Sequence, residues 1–272
     1  MIPERAIIEW RESVPWIKEI MVEQDLIICR ALIAIYNDEF LSSRLAFRGG
    51  TALHKLYLSP QPRYSEDIDL VQIQPENVGT ILDKLREVLS FLGKPVIKQK
   101  KNNNTMVFRV DSTFPPIAPI RLKIEINCKE HFNVLGLVNV PFEVKNQWFN
   151  GKSEITTYQL DELVGTKLRA LYQRKKGRDL FDLQKALENQ NLNTNNVIKC
   201  YHKYISFSDG ESPTQAVYVA NMEEKIQEEI FLTDTQTLLR PSLIFNPKEA
   251  YEIVKRELIE KIGTQYIETN KL

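Results

Sequence analysis

A chain of 272 residues, 43% hydrophobic and 26% charged, is long enough for one large domain or two modest ones, and its composition excludes the disordered and fibrous classes. Its 36 basic and 36 acidic residues cancel, which excludes a whole-molecule field for nucleic acid and leaves only local patches for that purpose. Three scattered cysteines and three scattered histidines exclude a zinc site of the usual spacing; free thiols, no recognisable export signal and no long apolar run point to a cytoplasmic protein with no membrane partner.

In chain order, Trp16, Ile20, Ile27, Ala31 and Ile35 fall close to one stripe and predict a helix over 16–36. LAFR reads as a short strand, the glycine pair after it as a turn, and TALHKLYL as a helix. Beyond the loop SPQPRYSE, the run DIDLVQI reads as a compact strand. Val78, Ile81, Leu82, Leu85, Val88, Leu89 and Leu92 recur at helical spacing and predict a helix over 76–92. TMVFRVDSTF and PIRLKIEINCKE predict neighbouring strands joined by a proline-rich turn. In the second, Ile120, Leu122, Ile124 and Ile126 take one face, and Arg121, Lys123, Glu125 and Asn127 the other. From about residue 155 the pattern becomes helical, with helices expected over 158–174, 179–189, 194–206, 214–231 and 247–262. The change from mixed α/β to all-α places a domain boundary between 1–155 and 156–272.

The segment FRGGTALHKLYLSPQPRYSEDIDLV joins two features that each have an ordinary structural meaning. Alternation along a strand turns Asp67 and Asp69 to the same side while Ile68 and Leu70 face the core. Two adjacent carboxylates repel unless a positive charge sits between them, and a hard cation such as Mg²⁺ (or Mn²⁺) suits oxygen ligands. Glu125, on the polar face of another strand, is the candidate third ligand; by itself it reads equally as a solvated residue. Gly49 and Gly50 follow a strand and open a helix, where free amides and the dipole favour an anion. Thr51 could cap that helix or contact phosphate, and Lys55, one turn on, could add charge. The glycines lack the spacing and GK[ST] ending of a P-loop. Ser65 completes the nucleotide-binding candidates, and the pairing of glycine turn with DxD suggests a nucleoside triphosphate (NTP) with a divalent cation.

In the helical half, Leu160, Leu163, Val164, Leu168 and Leu171 define a buried stripe that also contains Lys167. A lysine there either snorkels to water or reaches an anion. Asp179 is placed to cap the following helix. The run RKKGR at 174–178 could form a basic rim, and Lys98, Lys100 and Lys101 a second basic patch.

Together FRGGTALHKLY, RYSEDIDLV, LKIEIN and DELVGTKLRALYQRKKGRDLFDL resemble the AbiEii/AbiGii/MenT group of toxin nucleotidyltransferases, within the DNA polymerase β-like superfamily; the likeness spans roughly residues 15–190. SPQPRYSE then reads as a loop insertion between the glycines and the DxD. The resemblance implies an α+β fold: a polymerase β-like domain with a small mixed sheet flanked by helices, then a C-terminal helical domain contributing to the active-site cleft. It implies that Asp67 and Asp69 bind catalytic metals, that Glu125 occupies the third-carboxylate position, that Lys167 holds the triphosphate, and that Asp179 completes the site or positions Lys167. An acceptor hydroxyl, expected at a tRNA 3′ end, would attack the α-phosphorus of an NTP and release pyrophosphate, with a cognate antitoxin restraining the activity. Two rival readings stay open at this stage. One is a metal-dependent nuclease, although the order around Glu125 is Lys-x-Glu rather than Glu-x-Lys; the other is a non-catalytic nucleotide-binding module.

Overall fold

The computed structural model describes residues 2–263. It divides into two compact units: Met1–Tyr158 with Leu238–Ser242, and Gln159–Thr237 with Leu243–Leu272.

The first unit runs α1 (Glu4–Ser13), α2 (Glu19–Tyr36), α3 (Glu39–Ser42), β1 (Leu45–Arg48), α4 (Gly49–Leu56), β2 (Asp67–Gln72), α5 (Val78–Val88), β3 (Val96–Lys98), β4 (Asn103–Asp111), β5 (Pro119–Asn127), β6 (Leu137–Lys145) and β7 (Asn150–Tyr158). The strands form one seven-stranded mixed sheet in the order β3-β4-β5-β2-β1-β7-β6. β2 pairs parallel with β5, and β1 antiparallel with β2 and parallel with β7. Ile68 and Leu70 on β2, with Ile120, Leu122, Ile124 and Ile126 on β5, are all buried, as strict alternation requires of a sheet with one apolar face.

The sheet is larger than the sequence suggested. The β6–β7 hairpin went unread because β6 is an edge strand with only Val144 buried, and carries Pro141, which an edge tolerates. Trp16, expected on the stripe of the first long helix, precedes α2 and is buried, its indole N–H 3.3 Å from Asp25 Oδ2.

The loop before β2 is held from two sides. The returning segment bridges Leu239 to Arg63, Tyr64 N donates to Leu238 O at 2.7 Å, and Arg240 Nε donates to Gln61 O at 2.6 Å. On the other side Gln24 Nε2 donates to Glu66 O at 3.1 Å and to Arg121 O at 3.2 Å, tying α2 to the start of β2 and to β5. What reads as an insertion is therefore a pinned connection.

The second unit holds α6 (Leu160–Gln173), α7 (Gly177–Leu187), α8 (Thr194–Asp209), α9 (Gln215–Lys225), α10 (Glu229–Thr233) and α11 (Pro247–Glu257). α6 packs on α7 and α8, and α7 on α11. The helix expected over 214–231 is two, α9 and α10. Asn193, Thr214 and Asn246 cap α8, α9 and α11 through their side chains, satisfying first-turn amides. No helix among the described residues is long and apolar enough to cross a membrane.

Candidate active site

β2 and its two neighbours build the site in the first unit. In the ladder, Asp67 lies opposite Lys123 and Asp69 opposite Glu125 on β5, while Arg48 on β1 lies opposite Asp69. Because parallel pairing keeps residues of equal parity on one side, Asp67, Asp69, Lys123 and Glu125 share the face opposite the core. Lys123 Nζ sits 2.7 Å from Asp67 Oδ2 and 3.7 Å from Glu125 Oε2.

The glycine turn closes one side of this face. Gly49 has φ +80°, the left-handed region, and a Cβ there would lie 2.3 Å from Asp69 Oδ2. Its lack of a side chain is what lets the turn back onto the carboxylate. Gly50, inside the first turn of α4, has no positive φ. α4 starts at Gly49 with Arg48 as N-cap, whose side chain does not cap the first-turn amides.

Thr51, expected as a cap or phosphate contact, is buried in the first turn of α4. Its hydroxyl donates to the Asp67 carbonyl, which leaves Ser65 Oγ, 2.8 Å away, as donor to Thr51. Both residues fix the start of β2 against the glycine turn. Lys55 departs further from expectation. It points inward from α4, its ammonium 2.6 Å from Asp25 Oδ2, with side chains 4% and 0% exposed. Thr51 and Lys55, four residues apart, share one face of α4, and both side chains turn inward, where Asp25 also accepts from both Trp10 and Trp16.

Electrostatics mark Asp69. Burial, then the charges of Asp67 and Glu125, push its carboxyl above the usual range, against the opposing pull of Arg48 and Lys123. Lys123 is disfavoured as a cation by burial, but its hydrogen bond and attraction to Asp67 prevail and raise it. Arg48 donates to Glu130, a buried partner that sequence reading did not single out. Among the described residues no three His, Cys, Asp or Glu side chains gather as a metal-holding group; the positive charge between the carboxylates is Lys123 itself. The donor set nevertheless fits a hard divalent cation: oxygen ligands only, two of them on one strand and the third in register beside them.

In the second unit Lys167, 5% exposed, does not snorkel; its ammonium lies 2.9 Å from Asp179 Oδ1 and 2.7 Å from Asp182 Oδ2. Arg174 Nε reaches Asp179 Oδ2 at 2.6 Å. Asp179 is not the N-cap, since α7 starts at Gly177 with Lys176 as N-cap; it stands within the first turn, turned to Lys167 and Arg174. Burial raises its carboxyl, but the two cations outweigh this and hold it below the usual range. Asp182 was missed, though its position one turn after Asp179 is a legible signal. The basic run 174–178 is paired rather than free: Arg174 with Asp179, Lys175 with Glu228, and Lys176 and Arg178 with Asp234.

A sheet with paired aspartates at the mouth of a strand and a glycine turn against them defines a nucleotidyltransferase fold, and solved structures agree. MenT4, a nucleotidyltransferase toxin from Mycobacterium tuberculosis H37Rv, superposes with a TM-score of 0.59 at 14% identity, covering 95% of this chain and 86% of that one. A putative nucleotidyltransferase from H. pylori gives 0.54 at 15% identity, covering 93% and 99%. No match was found among curated proteins. The family described as nucleotidyl transferase AbiEii toxin, type IV toxin–antitoxin system, matches residues 30–257, and the chain belongs to it. It is thus a nucleotidyltransferase toxin, for which the family implies an NTP substrate and an antitoxin partner.

Proposed function

We propose that the protein transfers a nucleotide from an NTP to an RNA hydroxyl, at a tRNA 3′ end, with Asp67, Asp69 and Glu125 as ligands for Mg²⁺ or Mn²⁺. The observation that carries this reading is the ladder register that sets Glu125 beside Asp69, on the face where Asp67 also lies. A bound divalent cation would supply polarisation of the α-phosphate and charge neutralisation on the leaving pyrophosphate. The first-turn amides of Gly49 and Gly50 are suited to hold phosphate oxygens, and Thr51 and Ser65 keep that turn in place against Asp67. Lys167 and Asp179 remain candidates from family resemblance, anchored in the second unit by Asp182 and Arg174.

The test mixes the protein, Mg²⁺, each labelled NTP in turn, and total tRNA. Label on full-length tRNA that is lost in Asp67→Asn, Asp69→Asn and Glu125→Gln supports the proposal. RNA shortened without added NTP would instead establish a nuclease, and label undiminished in Asp67→Asn would refute the ligand assignment. Lys167→Arg in the same assay tests the role that the family resemblance assigns to Lys167: loss of label supports it, and undiminished label refutes it.

A further inference from the structure

Lys123 combines three properties that bear on metal loading. Its ammonium is in hydrogen-bond contact with Asp67 and in ion-pair range of Glu125. It lies opposite Asp67 on the adjoining strand, with its stem starting from the same polar face. It also keeps a way out, since its side chain is 28% exposed. A lysine stem is flexible and its head group is a compact point charge, so it can leave its partners for water without moving the backbone.

Two like charges on one strand face, with a third in register, destabilise the folded chain unless a cation is present. Lys123 supplies that charge to Asp67 and Glu125, while Arg48, opposite Asp69, supplies it there. We propose that Lys123 is a built-in counter-ion, which holds the acidic face assembled before metal arrives and is exchanged for the divalent cation on loading. The proposal rests on the assignment of Asp67, Asp69 and Glu125 as metal ligands. An ammonium and a divalent ion on the same carboxylates repel each other, and each draws on charge that the other would otherwise take. Loading therefore competes with the Lys123–Asp67 pair. The alternative is an ordinary surface pair that leaves the ligands' affinity for metal unchanged.

The measurement is Mn²⁺ binding, read from the loss of the free-ion electron paramagnetic resonance signal, on the full-length wild type, Lys123→Met, Lys123→Gln and Asp67→Asn. Folding of each is checked by circular dichroism. Both Lys123 variants are expected to bind Mn²⁺ more tightly, by up to about fivefold, the factor set by an interaction of this exposure. Each is also expected to show a larger rise in thermal midpoint on adding Mn²⁺ than wild type. Mn²⁺ binding that Asp67→Asn abolishes, but that is equal or weaker in both Lys123 variants, overturns the counter-ion role and leaves the metal site standing. Absence of Asp67-dependent Mn²⁺ binding in the wild type overturns both.

Discussion

Substitution of Gly49 by alanine separates backbone strain from damage to the acidic face, because the same unit contains a control. Gly49 and Gly93 have φ of +80° and +82°, so alanine is strained at either position, and at Gly93, where ψ is −159°, it enters a region essentially reserved for glycine, at about 1–3 kcal/mol. At Gly93 nothing lies within 4 Å of the added Cβ, and the cost ends there. At Gly49 the Cβ would be 2.3 Å from Asp69 Oδ2, 3.0 Å from Cγ and 3.1 Å from Asp69 Cβ. Ordinary contact requires the carboxylate to retreat by roughly 1 Å, while the ladder to Arg48 and Glu125 fixes the Asp69 backbone. An off-rotamer side chain adds about 0.5–1.5 kcal/mol. In urea denaturation Gly93→Ala should lose about 1–3 kcal/mol from backbone strain alone, and Gly49→Ala should lose its backbone strain plus about 0.5–1.5 kcal/mol for the displaced Asp69 side chain. The rates should diverge far more. A displacement of that size at Asp69, as the proposed metal ligand, should lower turnover about 10²-fold, whereas Gly93→Ala should transfer nucleotide at the wild-type rate. Equal stability losses and equal transfer rates in the two variants would refute the claim that the glycine turn backs directly onto Asp69.

Three further outcomes follow from buried groups. Lys55→Met leaves Asp25 buried without its cation and should cost about 3–5 kcal/mol, with much of the loss recovered in the Asp25→Asn/Lys55→Met double variant; a loss under 1 kcal/mol in urea denaturation would mean the pair is not desolvated. Burial pushes the Cys29 and Cys200 thiols up to about 12, while Cys128 is half-buried and raised less, by burial against an opposing hydrogen bond from Asn104. Ellman's reagent at pH 8 should therefore modify Cys128 first in the native protein and the other two only on unfolding, and comparable native rates for all three would contradict this. Burial lowers Lys225 to about 8, although its ammonium donates to the Leu171 and Tyr172 carbonyls. Its folded pKa lies below the unfolded value of 10.5, so the unfolded chain binds more protons between the two, and this group's penalty fades as pH rises from 8 to 10.5. Measured at pH 7.5 and 9.5, the stability of wild type relative to Lys225→Met should shift in favour of wild type at the higher pH; a constant difference would show that Lys225 titrates alike in both states.

The sequence by itself determined whatever depends on local period. Alternation put Asp67 and Asp69 on one side of a strand and Lys123 with Glu125 on the polar side of another, and helical spacing placed Lys167 on a buried stripe. Only the tertiary structure decided which of these residues meet. That Glu125 stands beside Asp69 is a matter of register between strands more than fifty residues apart, and a slip of one residue would have turned it to the core. The same holds for Lys55, drawn to a buried Asp25 on α2 rather than to the turn at Gly49 and Gly50, and for Thr51, which reads as a cap yet ties two elements together. β6 was illegible because an edge strand needs little apolar alternation. A charge read along the chain carries no mark of its partner, since the partner's distance is set by packing between elements and the sequence records only the order in which those elements occur.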